Sequence, residues 1–191
     1  MRLNLGCGNW KIPGWINVDK VPASNPDQVV DLEKLPWPWL SDSIDEILLS
    51  HVLEHLGAAT ELYLDIIKEL YRVCRDGAKI TIIVPHPRHD FFLDDPTHVR
   101  PITVDGLALF SQEWNKKWMA TGVANTPLGL YLGVDFAIQS VNLMLDEPWL
   151  GRKARQEISD ADIAQAIRQY NNVVSQTTID LKVIKATGRA A

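Results

Sequence analysis

Two glycines and two carboxylates follow short apolar runs in the first third of the sequence, and together these residue types could hold a nucleoside. Gly6 and Gly8 come directly after the run Leu3–Leu5, and a turn without Cβ atoms lets backbone N–H groups approach a ligand closely. Asp19 ends the next apolar run, where open α/β sheets place an acceptor for ribose hydroxyls. Asp31 ends a third run and can receive an adenine edge. Each feature alone is weak, since glycines also make ordinary turns, but their order defines a row of groups at one edge of a sheet.

The spacing within this row argues against a nucleotide-dependent dehydrogenase, reductase or epimerase. In the dinucleotide fingerprint, a GxGxxG segment opens a helix and the acidic residue follows about 20 residues later. Here Asp19 stands only eleven positions after Gly8, and the intervening Asn9–Gly14 contains Pro13 and is too short for a crossover helix. A cofactor without a pyrophosphate therefore fits better.

A second group of titratable residues occupies a loop-like segment further along the chain. His86, His89, Asp94, Asp95 and His98 fall within thirteen residues after an apolar run. These residue types could ligate zinc or iron, but their spacing matches no strong ligand signature, so we expect no metal. A solvated loop is one alternative. We favour an active-site lid or a pocket for the substrate that accepts the transferred group, in which His98 or Asp95 acts as a general base.

Two further sets of residues have both a structural and a functional interpretation. His51, Glu54 and His55 share one short segment. For Glu54 and His55, packing and capping is one alternative and a functional role is the other, whereas we favour a cofactor contact for His51. Seven tryptophans could stack on an adenine, a nucleobase or a sugar ring. Most tryptophans simply pack in cores or at their rims, and Trp10 and Trp37 are the best candidates for a different role.

Apolar runs and helical spacing predict the elements that position these residues. The helix from Thr60 to Cys74 should begin with Thr60 as its N-cap and end at Gly77. The β-branched run ITIIV should form a central parallel strand that is covered on both faces. The predicted strands of this half are Arg2–Leu5, Trp15–Val18, a short edge strand at Val29–Val30, Ile44–Leu49 and Lys79–Val84.

The second half of the chain gives weaker patterns. Pro85 to Pro101 is rich in His, Asp and Pro and is predicted to be a loop, and a helix follows at Val104–Trp118, with Leu107, Phe110 and Trp114 on one face. The last predicted elements are strands at Phe136–Leu145 and Thr178–Ala186 and, between them, a helix near Asp160–Tyr170 that Ser159 caps.

These elements predict an α/β protein with a Rossmann-like open, mostly parallel sheet, helices on both faces and a late antiparallel strand pair. The length of 191 residues indicates one domain, in which residues 1–87 form a cofactor-binding half and residues 88–191 an acceptor or cover half. The net charge of −5 disfavours a duplex nucleic-acid binder. Cys7 and Cys74 cannot build a disulfide framework or a four-ligand zinc site. We expect a cytoplasmic protein, because neither a signal-peptide pattern nor a membrane-length apolar run is found.

Several motifs follow one another in an order that is typical of one family. They are LNLGCG at Leu3, PGWINVD at Pro13, DLEKLP at Asp31, IDEI at Ile44, HVLEH at His51, ELYRV with a following DG, ITIIVP and DPTH at Asp95. In this order they resemble a small branch of the class I S-adenosylmethionine-dependent methyltransferases, similar to methyltransferase type 11. The resemblance covers about residues 2–104 well and the remainder only in outline.

This resemblance implies roles for a set of residues at the sheet edge. The glycine loop would approach the methionine and ribose parts of the cofactor, Asp19 would bind the ribose hydroxyls, Asp31 and Leu32 would frame the adenine, and His51 would lie beside the sulfonium. Two positions depart from the family pattern, because Asn4 stands where many relatives carry Asp and Trp10 where a third glycine is common. The implied cofactor-binding residues are Asn4, Gly6, Cys7, Gly8, Asp19, Asp31, Leu32 and His51.

The resemblance therefore implies transfer of a methyl group from S-adenosylmethionine. The sequence does not identify the methyl acceptor, although an acidic chain with aromatic loops favours a small molecule or a glycan over a nucleic acid. The alternative is a non-catalytic or regulatory module of the same fold that binds S-adenosylmethionine. Whether the chain forms a homo-oligomer is left open.

Overall fold

The computed structural model describes residues 1–185 of the 191-residue chain. The strands in this part of the chain form one seven-stranded sheet. Its strands are β1 (Arg2–Leu5), β2 (Ile16–Asp19), β3 (Gln28–Val29), β4 (Ile44–Ser50), β5 (Cys74–Pro85), β6 (Phe136–Leu145) and β7 (Val174–Val183). The spatial order is β3-β2-β1-β4-β5-β7-β6. The pairs from β3 to β5 are parallel, whereas β7 is antiparallel to both β5 and β6. The predicted mostly parallel sheet with a late antiparallel pair is confirmed.

Helices connect these strands, and the first is the longest of those in the described residues. It joins β4 to β5 and buries residues at helical spacing, namely Tyr63, Ile66, Ile67, Leu70 and Val73. The helices are α1 (Thr60–Val73), α2 (Asp90–Leu93), α3 (Val104–Ala108), α4 (Gln112–Thr121), α5 (Leu128–Leu132), α6 (Trp149–Ala154) and α7 (Asp160–Gln169).

The ends of α1 differ from the prediction. Thr60 is the first helical residue and not its cap; Ala59 holds the cap position and offers no side-chain oxygen. The helix ends at Val73, because the chain enters β5 directly at Cys74. Gly77 instead adopts a positive φ of +74° inside that strand, where the pairing with β4 shifts register.

The strand that contains ITIIV lies inside the sheet, but it is not a purely parallel strand. β5 pairs parallel with β4 and antiparallel with β7. Its residues Ile80, Ile82 and Val84 are fully buried. On the opposite face Thr81 is half-buried and donates a hydrogen bond to the Asp180 carboxylate at 2.7 Å. Only one face of β5 is therefore packed as an apolar core.

The segment predicted as one helix over Val104–Trp118 forms two helices. Ser111 caps the second of them, α4, by accepting a hydrogen bond from the Trp114 backbone N–H. Leu107 and Phe110 are buried as predicted, but Trp114, which lies beyond the break, is 40% exposed.

The remaining elements of the second half were predicted in part. Ser159 caps α7 in a capping box, as predicted. The last strand begins earlier than predicted, at Val174, and ends at Val183; the predicted end at Ala186 lies outside the described residues. The predicted loop from Pro85 to Pro101 contains the short helix α2, and α5 and α6 were not predicted.

Candidate functional site

The order in which the chain adds strands to the sheet reverses between β1 and β4, and a crevice opens there. β2 and β3 lie on one side of β1, and β5 lies on the far side of β4. In open α/β sheets the loops after two such strands diverge, so ligands bind outside the carboxyl ends at this point. Gly6 follows β1, Asp19 ends β2 and His51 follows β4. The fold therefore places three of the predicted cofactor residues around one crevice.

The glycine loop after β1 needs glycine for its conformation. Gly6 and Gly8 have φ angles of +64° and +48°, which side chains rarely adopt. A Cβ on Gly6 would also lie 2.4 Å from Cγ2 of Val52. The loop is tied to β2, since the Cys7 N–H donates to the Val18 carbonyl at 2.9 Å and the Gly8 N–H donates to Oδ2 of Asp19 at 2.8 Å.

Asn4 supports this loop from inside the protein. Its side chain is 1% exposed and donates from Nδ2 to the Trp10 carbonyl at 2.8 Å and to Oδ1 of Asn17 at 3.0 Å. The same Asn17 oxygen accepts the Ile12 N–H at 2.8 Å. Asn4 thus fixes the path of residues 10–12, and the structure does not bring it to a cavity wall.

The first of two adjoining cavities, which we call the glycine-loop cavity, has a volume of about 340 Å³. It brings together five of the eight predicted cofactor residues: Gly6, Asp19, Asp31, Leu32 and His51. Cys7 is buried, and neither it nor Gly8 lines this cavity. The remaining lining residues are Lys20, Val30, Val52, His55, Leu56 and Thr97.

The second cavity, which we call the histidine cavity, has a volume of about 460 Å³ and includes both predicted catalytic residues. His51 lines both cavities, so the two are neighbours. Two of the five polar residues in the predicted loop point elsewhere. The buried His89 donates from Nε2 to Asp146 at 2.9 Å, and His86 lines a different cavity. The histidine cavity is lined by His51, Pro85, Phe91, Asp94, Asp95, Pro96 and His98.

His51 is held at the junction of the two cavities. It has a φ of +55°, and its backbone N–H donates to the Ile83 carbonyl on β5 at 2.8 Å. Its Nδ1 lies 3.6 Å from a Glu54 carboxylate oxygen and its Nε2 lies 3.0 Å from Oε1 of Gln176. Glu54 raises the pKa of His51, burial works against this rise, and Gln176 adds to it. Both neighbours are acceptors, which favours the charged imidazole.

His98 lines the histidine cavity, and its Nε2 is unprotonated when the ring is neutral. Nδ1 lies 2.8 Å from the Phe92 carbonyl, which can only accept, so Nδ1 carries the proton. Its Nε2 lies 3.9 Å from Oδ2 of Asp95. The Thr97 hydroxyl and N–H both donate to Oδ1 of Asp95, and they lower the pKa of that carboxyl. Asp95 is therefore an anion beside a ring that can accept a proton.

Glu54 and Gln176 are site residues that the sequence did not identify. Glu54 is fully buried, and neither of its carboxylate oxygens has a hydrogen-bond partner in the part of the chain that the structure describes. The sequence left both packing or capping and a functional role open for this residue. Gln176 was missed because β7 was predicted to begin only at Thr178. Trp37 also differs from expectation, since it is buried in the core and donates from Nε1 to the Leu32 carbonyl at 3.0 Å.

Comparison with solved structures finds proteins that share this fold. A methyltransferase from Archaeoglobus fulgidus, described as dependent on S-adenosylmethionine, matches with a TM-score of 0.61 and 18% identity over 95% of this chain and 85% of its own. The fold is that of the class I S-adenosylmethionine-dependent methyltransferases.

Other structures share the methyltransferase fold at similarly low identity. An S-adenosylmethionine-dependent methyltransferase from Methanosarcina mazei matches with a TM-score of 0.53 and 14% identity over 96% of this chain and 92% of its own. A phosphoethanolamine N-methyltransferase from Haemonchus contortus, in complex with S-adenosyl-L-methionine, matches with a TM-score of 0.53 and 12% identity over 96% of this chain and 48% of its own. No family model and no curated protein sequence matches the chain. Among the described residues, no helix is long and apolar enough to span a bilayer.

Proposed function

We propose that the chain binds S-adenosylmethionine in the glycine-loop cavity and transfers its methyl group to a small-molecule or glycan acceptor in the histidine cavity. The observation that carries this proposal is the meeting of the two cavities at His51, which lines both. A donor in one and an acceptor in the other would face each other across this residue.

The residues of the glycine-loop cavity fit this cofactor chemically. Its volume of about 340 Å³ falls in the range of about 300–1,000 Å³ that is usual for small-molecule sites. Asp19 and Asp31 offer acceptors for ribose hydroxyls and for the exocyclic amine of adenine, and Val30, Leu32 and Leu56 offer apolar walls for the ring. The cofactor supplies an electrophilic methyl group on a sulfonium.

The side chains of the histidine cavity would orient the acceptor and receive its proton. As the acceptor oxygen or nitrogen bonds to the methyl carbon, the carbon–sulfur bond breaks with its electron pair on sulfur, and one proton must leave the acceptor. Nε2 of His98 is free to take that proton because Nδ1 donates to the Phe92 carbonyl. The Asp95 carboxylate, 3.9 Å from Nε2, would stabilise the resulting imidazolium.

A test must separate binding from turnover, because a non-catalytic binding module is the alternative. The wild type and His98→Asn would be incubated with S-adenosylmethionine and panels of phenols, sugars, glycans and amines, with duplex and single-stranded nucleic acids as comparison. Formation of S-adenosylhomocysteine would be measured. We expect turnover with a small-molecule or glycan acceptor, a loss of about 100-fold or more in His98→Asn, and unchanged affinity for S-adenosylhomocysteine in that variant.

Two outcomes would contradict this proposal. Binding without turnover on every panel would favour the non-catalytic module. Turnover that is confined to nucleic acids would contradict the proposed acceptor class. Equal turnover of the wild type and His98→Asn would remove His98 from the chemistry while leaving methyl transfer itself in place.

A further inference from the structure

The fold brings the buried carboxylate of Glu54 and the neighbouring imidazole of His55 close to the imidazole of His98, which is distant in the sequence. Glu54 and His55 follow β4, and His98 comes from the loop after β5. One potential ligand atom from each residue lies within 4.8 Å of the others. The rings of His55 and His98 lie with their centroids 4.6 Å apart. His55 and Thr97 line the glycine-loop cavity, and His98 lines the histidine cavity, so the cluster lies between the two.

The carboxylate of this cluster has no compensating hydrogen bond. Glu54 is 0% exposed, and both of its oxygens lack a partner among the described residues. Its nearest cationic neighbour is Nδ1 of His51 at 3.6 Å, which exceeds hydrogen-bond distance. Burial of an ionised carboxylate without hydrogen bonds costs several kcal/mol. A cation seated on Glu54 would remove that cost.

Both histidines already have the outer hydrogen bonds that are typical of metal ligands. His98 donates from Nδ1 to the Phe92 carbonyl at 2.8 Å. His55 Nδ1 lies 2.9 Å from the Thr97 hydroxyl, and that hydroxyl donates to Asp95 at 2.6 Å, so it accepts from His55. In each ring, Nε2 is therefore unprotonated when the ring is neutral. The Phe92 carbonyl fixes the orientation of His98, and the Thr97 hydroxyl, which is bound to Asp95, fixes that of His55.

We propose that Glu54, His55 and His98 form a binding site for a divalent transition-metal ion such as Zn²⁺. Two imidazole nitrogens and one carboxylate are a donor set that suits zinc or ferrous iron, with open positions for other ligands. Metal–ligand bonds of about 2.0–2.2 Å place ligand atoms within about 4 Å of each other, so the side chains must close by about 1 Å. The sequence predicted no metal, because the ligands come from two segments that only the fold brings together.

This site goes beyond the proposed function and does not depend on it. In the metal-free chain Nε2 of His98 stays available for the acceptor's proton, as proposed above, whereas a bound ion would occupy that nitrogen and would lie beside the acceptor. The titration below contains no S-adenosylmethionine, so its result and the result of the turnover assay are independent.

The direct test is a calorimetric titration of the full chain with ZnCl₂ after removal of bound metal with a chelator. We expect one equivalent of saturable binding that weakens at least about tenfold in Glu54→Gln and in His98→Asn. His86→Gln serves as the matched control, because His86 is a half-buried histidine of the same loop that lines another cavity. Its zinc affinity should equal that of the wild type.

A second measurement keeps the test valid if a variant does not fold. In the wild type, ¹⁵N resonances of the His55 and His98 rings should shift on addition of Zn²⁺, whereas those of His86 and His89 should not. The proposal is overturned if no saturable binding occurs, if Glu54→Gln binds zinc as the wild type does, or if the shifts fall on His86 or His89 instead of His55 and His98.

Discussion

Substitution of Gly6 by Ala tests the tight junction between the glycine loop and the segment after β4. The new methyl group would lie 2.4 Å from Cγ2 of Val52 and 3.1 Å from its Cγ1. Val52 is β-branched and restricted at χ1, so its side chain cannot simply rotate away. Gly8 in the same loop offers a matched control, because its φ is also positive but a Cβ there would meet no atom within 4 Å.

The expected losses of stability come from two contributions, the left-handed backbone conformation and the contact with Val52. Left-handed backbone costs a residue with a side chain about 1–2 kcal/mol, and both variants suffer this loss. Overpacking a filled site costs about 1–3 kcal/mol more, and only Gly6→Ala suffers it. We therefore expect Gly6→Ala to lower the free energy of unfolding by about 2–5 kcal/mol and Gly8→Ala by about 1–2 kcal/mol.

Urea unfolding of four variants measures these contributions. Gly6→Ala, Val52→Ala, their double variant and Gly8→Ala would be compared with the wild type at equal m-values. Because Val52→Ala removes the clashing methyl groups, the double variant should lose about 1–3 kcal/mol less than the sum of the single losses. Equal losses in Gly6→Ala and Gly8→Ala, or an additive double variant, would refute the proposed contact between the loop and Val52.

Three further predictions concern the scaffold around the site. Glu69→Gln should cost about 1–3 kcal/mol at pH 7, since the carboxylate accepts hydrogen bonds from Arg72 and from the Trp37 backbone N–H. Arg72 holds the pKa of Glu69 below its ordinary value. The stability that Glu69 contributes is therefore present above the unfolded-state pKa of the carboxyl group and is lost as the pH falls through its folded-state pKa. In urea titrations at acid pH, the free energies of unfolding of the wild type and the variant should converge. Ser159→Ala should lower stability by about 1 kcal/mol through loss of the capping box on α7, again measured in urea. Burial raises the pKa of the Cys74 thiol to about 12, so Ellman's reagent at pH 8 should not react with it until the chain unfolds.

Each of these three predictions has an outcome that contradicts it. A stability difference for Glu69→Gln that persists unchanged into acid would show that the carboxylate does not act through its charge. A free energy of unfolding in Ser159→Ala that equals that of the wild type would show that the capping box does not stabilise α7. Stoichiometric labelling of Cys74 at the same rate in folded and unfolded chains would show that the thiol is accessible.

The strand-end residues could be predicted from the sequence because each one directly follows an apolar run. Gly6, Asp19 and Asp31 lie at the carboxyl ends of consecutive parallel strands, and such ends meet at one edge of a sheet. Local order along the chain was therefore enough to place these residues in one cavity. The two late strands could also be predicted locally, since apolar residues recur among polar ones through β6 and β7.

The parts that the sequence did not reveal depend on contacts between distant segments. Gln176 contacts His51, which lies 125 positions earlier in the chain. The residues around Glu54 come from segments before and after β5 in the sequence. Neither pattern is periodic, so hydrophobic spacing carries no information about it. The break between α3 and α4 was missed because Ser111 satisfies a helical pattern equally well as an interior residue and as a cap.

The central claim is that the glycine-loop cavity binds S-adenosylmethionine through Asp19, and calorimetric titration with S-adenosylmethionine and S-adenosylhomocysteine tests it most directly. Hydrogen bonds to a charged acceptor contribute about 1.5–3 kcal/mol, so Asp19→Ala should weaken both ligands by about 10- to 150-fold. Asp65→Ala, an exposed carboxylate on α1, is the control and should bind as the wild type does. We predict micromolar binding of both ligands in the wild type and in Asp65→Ala, and this weakening in Asp19→Ala alone. Absence of binding to the wild type, or unchanged affinity in Asp19→Ala, would contradict the account.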